Sequence, residues 1–229
     1  MENYNHNLML LESIASALGD LLSSVTFVGG CSTILMVEKS AYFGVRMTED
    51  VDGIIDATTF IEYHKFGQAL RKQGFREDDS GPVCRWLYDG DSGIVKLDIM
   101  PMDEKILGFS NRWYKAAINE ADNIKLASGK TIRLVSPTYF IATKFEAFNG
   151  RGAGEFFSHD LEDIIFVMEN RDNLILDLIN SPKGLKQYFA EQAAALLNDD
   201  FLNVLPGLLI NSESAGAIEN TLKIMSSWK

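Results

Sequence analysis

Three aspartates hold most of the chemistry this sequence offers. Asp50 and Asp52 open the run Asp50-Val51-Asp52-Gly53-Ile54-Ile55, and Asp98 sits inside Val95-Lys96-Leu97-Asp98-Ile99. Both runs are apolar and strand-like. Alternate side chains of a strand share a face, so Asp50 and Asp52 point the same way. Two like charges held that close repel, so one of them is protonated or both meet a cation. Such oxygen donors suit a hard divalent ion, Mg²⁺ or Mn²⁺. Asp98 can supply a third oxygen, because a carboxylate in a core strand is costly unless it is paired or binds metal. Upstream, Gly29-Gly30 follows the β-rich Val25-Thr26-Phe27-Val28 and precedes a helix expected over residues 31–38. Bare backbone N–H groups beside the positive end of a helix can hold a phosphate, and the same two glycines also suit a tight turn.

A second group lies downstream. Lys144, Ala147 and Arg151 fall at i, i+3 and i+7, on one face of a helix if the helix runs that far. Two cations around a small residue can reach a polyphosphate; a solvated basic edge has the same pattern. Asp160 and Asp163 share a face of the next helix, where first-turn carboxylates also suit the helix dipole.

The elements that position these residues follow from periodicity and turn chemistry. Leu8, Leu11, Ile14, Ala15, Leu18 and Leu22 predict an amphipathic helix over about 6–22, ended near Gly19-Asp20. Residues 40–47 connect to the strand of the paired aspartates. Thr58 or Thr59 caps a helix over about 60–73, with Phe60, Ile61, His64, Phe66 and Leu70 on its apolar side, and Gly74 ends it. Two strands, 83–88 and 94–100, flank the turn-rich Asp89-Gly90-Asp91-Ser92-Gly93 and make a hairpin. A second hairpin joins 124–127 and 131–135 over Ser128-Gly129-Lys130. Ser136-Pro137 starts a helix, and Ser158 caps the helix that carries Asp160. From residue 171 the pattern is helical: about 172–180, 184–198, 200–210 and 214–227, punctuated by Pro182 and Pro206-Gly207.

Composition bounds the function. The 229 residues carry 21 basic and 32 acidic side chains, a formal net charge of −11, with 46% hydrophobic residues. That is an ordinary globular balance with room for one or two modest domains. The acidic surplus argues against a general nucleic-acid coat protein and leaves room for a local basic groove. Cys31 and Cys84 form no Cys-x-x-Cys pair, and with three histidines a zinc site is not expected. Isolated cysteines, no signal peptide and no membrane-spanning run point to the cytoplasm.

The order Gly-Gly, Asp-x-Asp, then a lone strand Asp resembles the polymerase-β-like nucleotidyltransferase superfamily. Lys144-Phe145-Glu146-Ala147-Phe148-Asn149-Gly150-Arg151 fits Lys-x-x-Ala-x-x-x-Arg, and His159-Asp160-Leu161-Glu162-Asp163 resembles the acidic motif that follows it. Over residues 25–170 the set looks like the AbiEii/AbiGii-type nucleotidyltransferases, which include toxins of toxin–antitoxin pairs. The resemblance implies an α+β fold with a mixed or antiparallel sheet flanked by helices. Residues 1–135 would form the nucleotidyltransferase domain. Residues 136–229 would form a helical domain that completes the nucleotide site and contacts the acceptor.

The resemblance also implies roles. Gly29, Gly30 and Ser32 would hold phosphates, although the serine is displaced from directly after the first glycine, where many members of the superfamily carry Gly-Ser. Asp50, Asp52 and Asp98 would bind the metals, with Asp98 helping to activate the attacking hydroxyl. Lys144 and Arg151 would meet the nucleoside triphosphate, and Asp160 would orient the nucleotide or the lysine. Such enzymes move a nucleoside monophosphate to a hydroxyl, of a tRNA 3′ end or a protein, and release pyrophosphate; an antitoxin is the implied protein partner. Two other classes remain open: a small-molecule nucleotidyltransferase, of the kind that modifies antibiotics, and a nucleotide-binding or interaction module of weak activity.

Overall fold

The structure, a computed structural model, describes residues 1–91, 93–152 and 154–228. Ser92, in the expected 89–93 turn, and Ala153, in the glycine-rich 150–154 segment, lie outside the described residues. Two units partition the chain: Met1–Leu35 with Val45–Phe140, and Met36–Gly44 with the chain from Ile141 on. The sequence placed the boundary at 135/136. Here residues 36–44 belong to the second unit, and the later crossing falls inside a helix.

In the first unit, α1 (Glu2–Ala17) is followed by a 3-10 turn and β1 (Val25–Val28). Then come β2 (Asp50–Ile55), α2 (Phe60–Lys72), β3 (Arg76–Glu77), β4 (Arg85–Gly90) and β5 (Gly93–Met100). Two short helices, α3 (Glu104–Leu107) and α4 (Tyr114–Asn119), lead to β6 (Asp122–Lys125) and β7 (Thr131–Leu134). The strands form one sheet in the order β3-β4-β5-β2-β1-β7-β6. It is mixed: β2 runs parallel to β5 and antiparallel to β1, and β1 runs parallel to β7. Both expected hairpins form, β4 with β5 and β6 with β7. The turn of the second is closed by Gly129 at φ +86, a backbone angle that costs glycine little. Phe27, Ile54, Leu97 and Ile99 are buried in the central strands and make the sheet a core element.

Two expectations change in this unit, and a third in the 39–44 stretch of the second. The helix over 31–38 is a 3-10 turn, Gly30–Leu35, pinned by Ser32 Oγ donating to Gly29 O at 2.7 Å and Thr33 Oγ1 donating to Gly30 O at 2.8 Å. Such local side-chain bonds compete with α-helical pairing. The connecting stretch that follows is itself 3-10 over Lys39–Gly44. In α2, Phe60 and Ile61 are 66% and 68% exposed, and Gly67 and Leu70 face inward instead. A Cβ on Gly67 would lie 3.1 Å from the Trp86 ring, so close packing against the sheet turns the first-turn aromatic outward. The cap is as expected: Thr59 and Glu62 form a capping box.

The segment 45–48, which feeds β2, is held by polar side chains of α1. Asn7 is fully buried. Its amide donates to Arg46 O at 2.9 Å, and its Oδ1 accepts from Thr48 N at 3.1 Å. Asn3 Nδ2 donates to Val45 O at 2.9 Å, and His6 Nε2 lies 3.0 Å from Thr48 O. A helix whose apolar spacing suggested only packing therefore also sets the entry into the aspartate strand.

The second unit is helical. The chain enters it within α5 (Pro137–Asn149), which starts at the expected Pro137, and continues through α6 (His159–Asn170), α7 (Leu174–Ile179), α8 (Lys183–Leu196), α9 (Asp199–Leu208) and α10 (Ala215–Ser226). Ser158 caps α6, accepting from Leu161 N at 3.4 Å. Pro206 does not break its helix; it sits inside α9, which ends at Leu208. The 36–44 segment is tied in by Glu38 N donating to Asn170 O at 3.0 Å and by Arg171 Nη1 donating to Met36 O at 3.0 Å. Among the described residues, no helix is long and apolar enough to cross a membrane.

Asn7→Ala leaves the Thr48 N–H and the Arg46 carbonyl without their buried partner. The expected loss is about 2 kcal/mol of unfolding free energy by urea titration, the usual penalty for an orphaned buried polar group. A loss inside experimental error would show that the 45–48 segment is held by other contacts.

Candidate active site

The three aspartates meet on one face of the sheet. In the parallel pairing of β2 with β5, Asp52 lies directly beside Asp98. In the antiparallel pairing of β4 with β5, Arg85 lies beside Asp98, and across β1 and β2 Val28 lies beside Asp52. The row Arg85–Asp98–Asp52–Val28 thus crosses four neighbouring strands, with Asp50 on the same face of β2. Directly registered side chains of neighbouring strands share a face at about 4.8 Å strand spacing.

Arg85, absent from the sequence reading, closes the row. Its Nε donates to Asp98 Oδ1 at 2.8 Å, and its Nη2 donates to Asp98 Oδ2 at 2.8 Å and to Asp50 Oδ2 at 2.6 Å. This is a two-pronged fork on Asp98 with a third bond to Asp50. The Asp98 hydrogen bonds push the guanidinium pKa further up, so Arg85 is charged throughout the physiological range. A signal was present in the sequence. The β4–β5 ladder runs out to Gly90 paired with Gly93, and in an antiparallel pair one such register fixes every pair behind it. Counting back along both strands places Arg85 opposite Asp98. Nearby, the Tyr63 hydroxyl donates to Ile99 O at 3.0 Å and ties α2 to β5, the strand of Asp98.

Gly29 belongs to the same place. Its φ is +76, and a Cβ built on it would stand 1.8 Å from Asp52 Oδ2. Only glycine lets the turn after β1 run past the Asp52 carboxylate. Gly30 follows it into the 3-10 turn and is buried. Ser32 is fully buried, and its hydroxyl proton goes to Gly29 O. In this conformation it stabilises the turn and does not project from it. Cys31 is buried too, with Sγ donating to Asn7 O at 3.4 Å. Burial pushes its thiol pKa up to about 12, and burial does the same to Cys84, so neither is a nucleophile at neutral pH.

In the second unit, Lys144, Asp160, Asp163 and Arg151 form one cluster. Lys144 Nζ lies 2.9 Å from Asp160 Oδ1 and 2.7 Å from Asp163 Oδ2, and all three side chains are less than a tenth exposed. Burial works against the lysine's charge, but Asp163 and Asp160 outweigh it and raise its pKa. Because α5 ends at Asn149, Arg151 is off the helix that was to align it with Lys144. It still reaches the cluster from the following turn, with Nε on Asp160 Oδ2 at 2.9 Å and Nη2 on Asp160 Oδ1 at 2.8 Å. Its side chain is 75% exposed, against 8% for Lys144. Burial alone would raise the Asp160 pKa; Arg151 and Lys144 hold it down at about 2.

The donor set of the first unit is the kind a hard cation prefers: carboxylate oxygens from three side chains on one sheet face. Among the described residues, however, no three His, Cys, Asp or Glu side chains converge as ligands around one point. The Asp50 and Asp98 oxygens are turned to Arg85 instead. With Arg85 in this position the three aspartates form no cation site, and a divalent ion would need the oxygens that the guanidinium now holds.

The fold is that of polymerase-β-like nucleotidyltransferases. The crystal structure of an antigenic nucleotidyltransferase-like protein from Paracoccidioides brasiliensis matches over 90% of this chain and 94% of its own, with a TM-score of 0.56 and 17% identity. The solution structure of the antibiotic-resistance factor ANT(2'')-Ia matches over 82% of this chain and 94% of its own, with a TM-score of 0.40 and 15% identity. No model of a known protein family matches the chain. No curated protein matches it in sequence.

Two expected outcomes follow from this geometry. Gly29→Ala forces either the turn or the Asp52 carboxylate out of place, and should cost about 1–2 kcal/mol in urea unfolding from backbone strain alone. A variant as stable as the parent would mean that the turn re-forms with negative φ. In the second unit, Asp160 titrates at about 2 when folded against an ordinary 3.8. A depressed carboxyl stabilises above its unfolded pKa and loses that contribution as pH falls through its folded pKa. The shift corresponds to about 2 kcal/mol, present above pH ~4 and gone near pH 2. Stability measured from pH 7 to 2 should show the parent and Asp160→Asn converging across that window. Parallel curves would remove Asp160 from the acid response.

Proposed function

We propose that this protein is a divalent-metal-dependent nucleotidyltransferase, acting on a nucleoside triphosphate and a hydroxyl acceptor. The observation that carries the reading is the cross-strand row of Asp50, Asp52 and Asp98, set against the backbone of Gly29 on a nucleotidyltransferase-like fold. Mg²⁺ or Mn²⁺, when bound by these aspartates, would supply electrostatic stabilisation of the charge on the transferring phosphoryl group. The protein's own residues do the rest. The Gly29-Gly30 turn brings backbone, without side chains, beside the carboxylates, where phosphate oxygens can approach closely. Asp98, the most buried of the three, is suited to accept the proton of the attacking hydroxyl once it is freed from Arg85. The hydroxyl oxygen then bonds to the α-phosphorus, the bond from that phosphorus to the bridging oxygen breaks, and pyrophosphate leaves.

On the second unit, Arg151 is the exposed cation suited to phosphate, while Lys144 stays inside as the counter-charge of Asp160 and Asp163. The AbiEii/AbiGii resemblance supports a tRNA 3′ end or a protein hydroxyl as acceptor, and an antitoxin as protein partner. A net charge of −11 weighs against extended contact with an RNA backbone and favours a compact acceptor end.

The test is label transfer. The protein is incubated with each α-³²P-labelled triphosphate, Mg²⁺ or Mn²⁺, total tRNA and a cell extract. Transfer of label with release of pyrophosphate is expected, with Asp50→Ala or Asp52→Asn slower by ~10²-fold or more while still folded. Label on RNA or on protein names the acceptor class, and pyrophosphate release with label on neither points to a small-molecule acceptor. Transfer undiminished in the Asp50/Asp52 double variant, or no turnover of any triphosphate, would overturn the reading.

A further inference from the structure

We infer that Arg85 is a resident counter-cation of the aspartate row, competing with the divalent ion for Asp98 and Asp50 and releasing them only when metal binds. The inference rests on the metal-binding reading of these aspartates given above.

Three observations carry it. First, the guanidinium engages both oxygens of Asp98 and one of Asp50, so three of the four oxygens on these two carboxylates face an arginine. A divalent ion taking the same oxygens would bring two cations within a few ångströms, and their repulsion makes the two occupants alternatives. Second, the contact is fixed by topology. Arg85 lies across from Asp98 in the β4–β5 register, and its side chain is only 15% exposed, so the fork is not a loose surface pair. Third, the arginine has somewhere to go. Arg85 is the first residue of β4, bordered by the polar 78–82 loop. A Cβ placed on Gly81 would touch both Asp78 Oδ2, at 2.5 Å, and Arg85 Cδ, at 3.1 Å. The half-buried Asp78 carboxylate therefore stands beside the arginine stem and can receive the guanidinium when it leaves the row.

The consequence is an energetic trade. Without metal, Arg85 offsets the repulsion among three carboxylates and keeps them assembled. With metal, displacing Arg85 subtracts from the binding energy and frees Asp98 to act as ligand and proton acceptor. Metal affinity is thereby lowered by a residue that is itself no ligand.

Mn²⁺ binding without nucleotide tests this directly, by electron paramagnetic resonance of free Mn²⁺ and by thermal unfolding with EDTA or Mn²⁺. Arg85→Met should bind Mn²⁺ about tenfold more tightly than the parent, the scale on which neighbours of metal ligands tune affinity. It should also melt below the parent in EDTA and recover with Mn²⁺. Arg85→Lys keeps the charge without the fork; its affinity should fall between the two, and it carries the test if Arg85→Met does not fold. In the Asp98→Asn background, the gain from Arg85→Met should disappear. Equal or weaker Mn²⁺ binding by a folded Arg85 variant, with the parent clearly binding, would overturn the inference and leave the metal site standing. No Mn²⁺ binding by parent or variant would overturn both.

Discussion

Like charge on one sheet face is the constraint around which the first unit is built. Asp52 and Asp98 are registered neighbours on β2 and β5, and Asp50 lies one side-chain repeat away. At a spacing of about 5 Å and an effective dielectric near 20, each such pair repels by about 3 kcal/mol. A fold of marginal stability does not carry that unopposed. Arg85 opposes part of it from β4, and the sheet order makes this possible, because β5 lies between the strand of the arginine and the strand of the paired aspartates. Asp98 is consequently the residue shared by the two halves of the row.

The second unit handles buried charge differently. Lys144 and Arg151 against Asp160 and Asp163 make two cations and two carboxylates, balanced within the cluster. Removing Lys144, Asp160 or Asp163, the buried members, leaves an uncompensated charge, which is worse than never having buried the set. In the aspartate row, one guanidinium bridges two carboxylates of neighbouring strands, Asp98 and Asp50. That contrast separates the two clusters more clearly than residue type does.

Much of this was legible in the sequence, and the remainder has identifiable reasons. Period-two alternation and turn residues placed β2, both hairpins and the capped α2, since those signals are local. The pairing of Asp52 with Asp98 is not local; the sequence supports a shared face for Asp50 and Asp52 but says nothing of which strand lies beside them. Arg85 was missed although its hairpin register was countable, because an arginine at a strand start resembles any solvated edge residue. Asn7 was missed because its neighbours in α1 have the spacing of a packing helix, and a single buried amide does not disturb that pattern. The helix expected over 31–38 gave way to a 3-10 turn because Ser32 and Thr33 bond back to the glycine carbonyls, a competition that propensity does not weigh. Phe60 and Ile61 fit the apolar stripe of α2 by spacing, but the side that packs is the one carrying Gly67, where a Cβ would press on the Trp86 ring at 3.1 Å.

The position of Asp52 follows from the same geometry. It lies between Asp98 on one side and the Gly29 turn on the other, with its carboxylate where a side chain on Gly29 would be. The end of β1 and the start of β2 meet there because the two strands are antiparallel. A turn that must be glycine for Asp52 to fit is also a turn whose backbone is bare toward that carboxylate. The glycines and the aspartates, which the sequence presents as two separate motifs, are thus one steric arrangement. The long excursion between them, residues 29–49, has to leave the sheet and return to the neighbouring strand with the carboxylates facing the turn it left. Asn7, His6 and Asn3 fix the last residues of that return. The register of the row is therefore set from both ends: by the β4–β5 hairpin for Asp98, and by the polar face of α1 for Asp50 and Asp52.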